Sequence, residues 1–240
     1  MGRRSARRNG WAQPHVPGAL LTAFAVASLG DLASLAAGWH GGHVVLKPLL
    51  MPLLMAYAAG QGAPRLLLAA LLFGWGGDTL LLSDKDPAFL AGMASFAAGH
   101  ICYLLLFRRH GTAHPNPRGA LLVAAYALAL VTTVALLWPD LPADMRGPVA
   151  GYSLLLTAMA FGASRLGLTA AAGGALFLLS DTLIATGVAE WPQAPRPDLW
   201  IMLTYLAAQY LLASAVLGAA GARALPTPAY RDRSTPSTTA

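Results

Sequence analysis

Residues 169–188 read TAAAGGALFLLSDTLIATGV, twenty positions whose one ionisable side chain is Asp181. Twenty residues of α-helix rise about 30 Å, the thickness of a bilayer's hydrocarbon core. A stretch this long and this apolar reads as a membrane-spanning helix, and it decides the fold class. An ionised carboxylate at that depth costs roughly 2.5–3.5 kcal/mol even on the mildest scale. Folding a membrane helix requires no such residue. Towards the N-terminus the arrangement recurs: Gly77-Asp78-Thr79-Leu80-Leu81 matches Ser180-Asp181-Thr182-Leu183-Ile184 in setting. Two carboxylates in matched apolar windows point to chemistry.

The rest of the chain agrees with a membrane protein. Hydrophobic residues make up 56% of its 240 positions and charged residues 11%, with mean hydropathy +0.56. Soluble domains carry about 25% charged residues. The pattern predicts an all-α polytopic bundle of about eight spans: 18–37, 44–60, 64–83, 87–108, 117–138, 146–164, 169–188 and 198–220. Breakers or charges separate them, as at Gly60-Gln61-Gly62, Asp84-Lys85-Asp86-Pro87 and Pro139-Asp140-Leu141-Pro142. The single cysteine, Cys102, excludes an intrachain disulfide and reads as a small core residue.

Eight spans place Arg3, Arg4, Arg7, Arg8, Arg65, Arg108, Arg109, Arg118, Arg165, Arg223, Arg231 and Arg233 on one side. Lys47, Lys85, Arg146 and Arg196 fall on the other, with most of the loop acids. The positive-inside rule then puts both termini in the cytoplasm. Residues 1–17 are expected to be a basic cytoplasmic segment touching anionic lipid head groups rather than nucleic acid, and 18–220 the membrane domain. Residues 221–240, rich in Ser, Thr and Pro, are expected to be a disordered cytoplasmic tail.

Asp31, Asp78 and Asp181 fall on spans one, three and seven, which run in the same direction. Each lies about 12 to 14 residues past the start of its span, roughly 20 Å up at 1.5 Å per residue. Lys47 and Tyr205 fall near that level. Asp78 and Asp181 each occupy the third span of a group of four, which predicts a parallel four-helix repeat with the acids facing across a cleft. An intramembrane Asp can also be plain bundle glue, hydrogen-bonded to Ser, Thr or Tyr, and this is the expectation for Asp31. The glycines around Asp78 and Asp181 are expected to let helices approach closely. The pairs His110/His114 and His40/His43 have metal-like spacing, but no metal site or cofactor is expected.

The order of several motifs resembles the YhhN-like membrane proteins, which include the lysoplasmalogenases. The matching segments are Lys47-Pro48-Leu49, then Phe73 with Gly77-Asp78-Thr79-Leu80-Leu81-Leu82, and Phe89-Leu90-Ala91-Gly92 with Phe96, His100 and Tyr103. Tyr152 and Met159 follow, then Gly174 through Asp181, and finally Thr204-Tyr205 with Gln209. The resemblance covers about residues 20–215. It implies hydrolysis of the vinyl-ether bond of a lysoplasmalogen to a fatty aldehyde and a glycerophospho-alcohol, with a lysophospholipid as substrate. The residue types suit that reaction, because it needs one protonated carboxyl to protonate carbon and one carboxylate to activate water. Asp78 and Asp181 are the candidates for these roles, in an order the sequence leaves open.

Lys47 is expected to hold the ionised Asp or meet the substrate phosphate. Tyr205 with Gln209, and His100 with Tyr103, each share a helix face and are expected to orient an Asp or the water; Tyr152 completes the set. His100 is expected about 10 Å below the acids, counted at 1.5 Å per residue. The rival reading is a proton-coupled carrier of a lipid or small molecule using the same Asp pair, and a non-catalytic lipid-binding protein is the third. The expected location is a cell membrane, and the Ala- and Arg-rich composition suggests a bacterial one.

Overall fold

The computed structural model describes residues 16–83, 85–112 and 116–224. They form eight helices: α1 (Val16–Ala37), α2 (His40–Gly60), α3 (Arg65–Leu80), α4 (Asp86–His110), α5 (Asn116–Leu137), α6 (Ala143–Ser164), α7 (Leu168–Val188) and α8 (Pro197–Ala224). Residues 1–15 and 225–240, which hold the basic cluster and most of the expected tail, lie outside the described residues. We call the end at which α1, α3, α5 and α7 finish the upper end.

Six of these helices are long and apolar enough to cross a membrane: α1, α2, α4, α5, α7 and α8. The third expected span is shorter than its apolar run. α3 closes at Leu80, where the Leu81 and Leu82 N–H groups turn back to the Gly77 and Thr79 carbonyls. Its 16 residues rise about 24 Å, short of the core thickness. Asp78 therefore sits in the last turn of α3, while Asp181 lies seven residues before the end of α7. Measured from the lower end the two still match, each thirteen residues past its helix start.

Glycine sets two of the connections. Gly38 (φ +72°) and Gly62 (φ +76°) take the left-handed conformation that lets a helix C-terminus fold over its own last carbonyls. Trp39 N–H then donates to Ser34 O, and Ala63 N–H to Ala58 O.

The helices α1, α2, α3, α4, α6 and α7 follow one another around the bundle. The last helix, α8, packs on α7 and α1 and reaches α2, α3 and α4 in the middle. Its buried stripe, Met202, Tyr205, Leu206, Gln209, Leu212, Ala213 and Val216, follows the three-and-four spacing of one helical face. By contrast, α5 packs chiefly on α6 and turns Leu121, Val123, Leu128 and Val131 outward.

Close helix approach rests on small residues, as expected within a bilayer. A Cβ at Gly77 would lie 2.4 Å from the Phe96 ring of α4, and one at Gly174 would lie 2.9 Å from the Ala160 Cα of α6. Proline supplies a further tie. Pro52 has no N–H to give to the Pro48 carbonyl one turn back in α2. The Trp75 indole Nε1–H of α3 donates to that carbonyl instead, at 2.9 Å. This bond joins the residue after Lys47 to a residue three before Asp78, and so fixes the register of the two helices.

Candidate active site

Two polar sets meet in the middle of the bundle. In the first, Tyr103 OH of α4 donates to Gln209 Oε1 at 2.8 Å, and Gln209 Nε2 donates to Tyr205 OH at 3.2 Å. Tyr205 OH in turn donates to Asp78 Oδ2 at 2.7 Å. The room for this file comes from Gly74, where a Cβ would stand 3.0 Å from Gln209 Nε2 and 3.3 Å from Tyr205 OH. Asp78 is 2% exposed. Lys47 of α2, itself buried, lies within Coulombic reach of it, as do Asp31 and His43.

The second set surrounds Asp181. Tyr152 OH of α6 donates to Asp181 Oδ2. The same hydroxyl meets His100 Nε2 at 3.0 Å, and His100 Nε2 lies 4.0 Å from Asp181 Oδ2. No Lys or Arg among the described residues is within Coulombic reach of this carboxyl. Its side chain retains 11% exposure and lines an apolar cavity of about 100 Å³ between α4, α5, α6 and α7. Met93, Phe96, Leu130, Leu156 and Val188 contribute apolar walls to it.

One ring separates the two sets. Phe177, fully buried one turn below Asp181, has its centroid 4.7 Å from that of His100 and 5.5 Å from that of Tyr205, both edge-to-face. Phe96 closes the cluster at 5.8 Å from Tyr205 and 6.3 Å from Phe177. Such contacts stabilise by ~0.5–1.5 kcal/mol each beyond area burial. They hold the two sets side by side without a hydrogen bond between them, and Asp78 and Asp181 remain within Coulombic reach of each other.

All eight residues singled out in the sequence, Asp78, Asp181, Lys47, His100, Tyr103, Tyr152, Tyr205 and Gln209, lie in or beside these two sets. Two expectations change. His100 is beside Asp181 rather than 10 Å below it. α4 and α7 run antiparallel and side chains lean towards their own helix N-terminus, so His100 tilts up while Asp181 tilts down. His100 and Tyr103 also divide, the first serving Asp181 and the second Gln209.

Asp31 has an ionisable partner rather than the Ser, Thr or Tyr of simple glue. Its Oδ1 accepts from His43 Nδ1 at 2.8 Å, with both residues buried. His43 was legible only as a weak metal ligand, although His43 and Lys47 stand four apart and therefore share a face of α2. Among the described residues no group of three His, Cys, Asp or Glu is placed to hold a metal. His114 lies outside the described residues. A charge-assisted buried hydrogen bond contributes about 1.5–3 kcal/mol. Asp31→Asn should therefore lower the thermal midpoint by several degrees while changing turnover less than ~10-fold. An unchanged midpoint with lost turnover would move Asp31 into the chemistry.

The YhhN family model matches residues 42–216. The chain belongs to the YhhN family. Among similar curated proteins, lysoplasmalogenase TMEM86B of Sus scrofa is 37% identical over 180 residues, which cover 74% of this chain and 76% of that protein. The Homo sapiens protein of the same name is 34% identical over 181 residues, 75% and 76% of the two chains. The Rattus norvegicus protein is 34% identical over 185 residues, 76% of each. No solved structure matches significantly. In this YhhN protein Asp31 precedes the matched region, so its pairing with His43 ties a residue outside the family segment to one just inside it.

Proposed function

We propose that this YhhN protein is a multi-pass membrane hydrolase that cleaves the vinyl-ether bond of a lysoplasmalogen-type lysophospholipid, with Asp181 as the acid and Asp78 as the carboxylate. The observation that carries the assignment is the difference between the two environments. Asp78 has the buried cation Lys47 within Coulombic reach, together with His43 and Asp31. Asp181 has no such cation and faces an apolar cavity. The name shared by the curated relatives, lysoplasmalogenase, supports the same reaction.

The chemistry follows from that asymmetry. Tyr152 occupies Asp181 Oδ2, leaving Oδ1 to carry the proton. The alkenyl chain enters the apolar cavity, bringing the chain-side vinyl carbon to Asp181. Transfer of the proton to that carbon leaves an oxocarbenium ion on the carbon bonded to the ether oxygen. Asp78, steadied by Tyr205, removes a proton from water as the water oxygen attacks. The product is a neutral hemiacetal. Asp181, now a carboxylate, takes the hemiacetal hydroxyl proton while Asp78 returns its proton to the departing glycerol oxygen. Aldehyde and glycerophospho-alcohol leave, and both carboxyls regain their starting states. Positioned acids and bases of this kind contribute about 10²–10⁴-fold each.

Purified full-length protein in detergent should release aldehyde from a 1-alkenyl lysophospholipid, and none from the 1-alkyl analogue, which has no double bond to protonate. Binding of the alkenyl lipid without turnover would instead favour a carrier that uses the same acids.

A further inference from the structure

A second cavity, of about 320 Å³, opens at the upper end between the α1–α2 turn and the connection from α7 to α8. Its walls include Trp39, His40, Arg196 and Asp198. Resting on the hydrolase reading above, we propose that this vestibule binds the zwitterionic phosphodiester head group of the lysolipid, phosphate on Arg196 and His40, ammonium on Asp198 and the Trp39 indole.

The charges here are uncommitted. The Arg196 and Asp198 side chains form no ion pair with each other, and among the described residues no hydrogen bond or ion pair holds either side chain. Arg146, another cation of this end, is already engaged, donating to the Pro139 carbonyl and stacking over Trp138. The Arg196 guanidinium lies against the bare backbone of Gly38, where a Cβ would stand 2.6 Å from Nη1. Any side chain at Gly38 would push the guanidinium off that wall. An exposed planar cation, an imidazole, a carboxylate and an indole around one hollow match the phosphate and the ammonium of such a head group. Arginine pairs with phosphate oxygens in bidentate fashion, and indole faces attract ammonium groups.

The spacing to the acids also fits. Leu199, on the vestibule wall, precedes Tyr205 by six residues of α8, about 9 Å of rise. Ser34, also on the wall, follows Asp31 by one turn. Five bonds separate the lysolipid phosphorus from the vinyl-ether oxygen, roughly 6 Å at ordinary bond lengths, and the vinyl carbons lie beyond. Along the helix axes, a head group in the vestibule thus stands at a height above Asp31 and Tyr205 that the lysolipid backbone can span.

Two measurements on the full chain in detergent test this. In equilibrium dialysis, glycerophosphoethanolamine should bind saturably, and Arg196→Gln or Asp198→Asn should each weaken binding by at least ~10-fold. Absent binding, or binding unchanged in both variants, overturns the proposal. So does inorganic phosphate binding as tightly as the diester, which would make the hollow a simple anion site. In kinetics, Arg196→Gln should raise KM for the phosphodiester substrate at least ~10-fold relative to an alkenylglycerol without phosphate. Equal changes for both substrates count against the vestibule. Should wild-type protein turn over neither substrate, the hydrolase reading fails while dialysis still decides the head-group site.

Discussion

Asp78→Asn and Asp181→Asn should each lower turnover by at least ~10²-fold, the low end for a positioned acid or base. Both amides keep the size of the side chain and still accept from Tyr205 and Tyr152. What they lose is the ability to deliver or receive a proton. Because the two carboxyls exchange protons with the same intermediate, the double variant should be little worse than either single one. Asp181→Asn replaces one neutral group by another and should leave the unfolding temperature near wild type, whereas Asp78→Asn leaves the buried Lys47 without that carboxylate and should lower it. The roles separate by substrate. A more electron-rich vinyl ether protonates more readily, so it should restore more activity to Asp181→Asn than to Asp78→Asn. Aldehyde release measured on monodisperse protein checks the kinetic points and thermal unfolding the other, and full activity in either single variant would sink the paired-carboxylate mechanism.

Replacing Lys47 by methionine should have the next largest effect. The methionine fills much the same volume on α2 but removes the cation within Coulombic reach of Asp78. An uncompensated buried charge is worth about 3–5 kcal/mol of destabilisation, and the carboxyl avoids it by taking up a proton. The base would then be absent, and kcat should fall by ~10²-fold, the scale seen for losing one electrostatic contact to a reacting centre. The split between kcat and KM is diagnostic. If Lys47 met the substrate phosphate, KM would rise at constant kcat. Its burial a turn beyond His43, within Coulombic reach of Asp78, favours the first outcome. Wild-type kinetics in a folded Lys47→Met protein would remove the residue from the site.

The sequence was most legible where a polar residue stood in hydrocarbon. Asp78, Asp181, Lys47 and Gln209 are costly there, so each announces a partner, and helix counting then placed the two acids at one level. Which partner each takes was less legible, because a span has a known length but an unknown rotation about its axis. His100 illustrates the difficulty. Helix counting puts its Cα at a lower level, but the lean of antiparallel side chains brings His100 Nε2 to 4.0 Å from Asp181 Oδ2. Asp31 had Ser28 and Ser34 one turn away on its own helix as nearer candidates, and its actual partner, His43, belonged to a different span. The apolar wall that α5 lends to the cavity, Leu130 and its neighbours, carried no signal, since one lipid-like face resembles another. The vestibule lies in the connections, where Arg196 read simply as one of a few cations on the less basic side.

The hydrogen bond between Tyr205 and Asp78 spans 127 positions of the chain, and this separation matters while the protein is being made. Helices leave the ribosome in order. When α3 enters the bilayer, α8 has not been synthesised, and Asp78 has no tyrosine to meet. What it does have are Asp31, His43 and Lys47, all delivered earlier by α1 and α2. The first helices thus bring two acids, a lysine and a histidine, a group that can balance its own charge before the second half of the chain exists. Asp181 faces the opposite schedule. His100 and Tyr152 are already in place when α7 arrives, so this carboxyl inserts directly into its finished setting. Birth order alone can therefore explain why the earlier of the two acids is the one provided with a lysine.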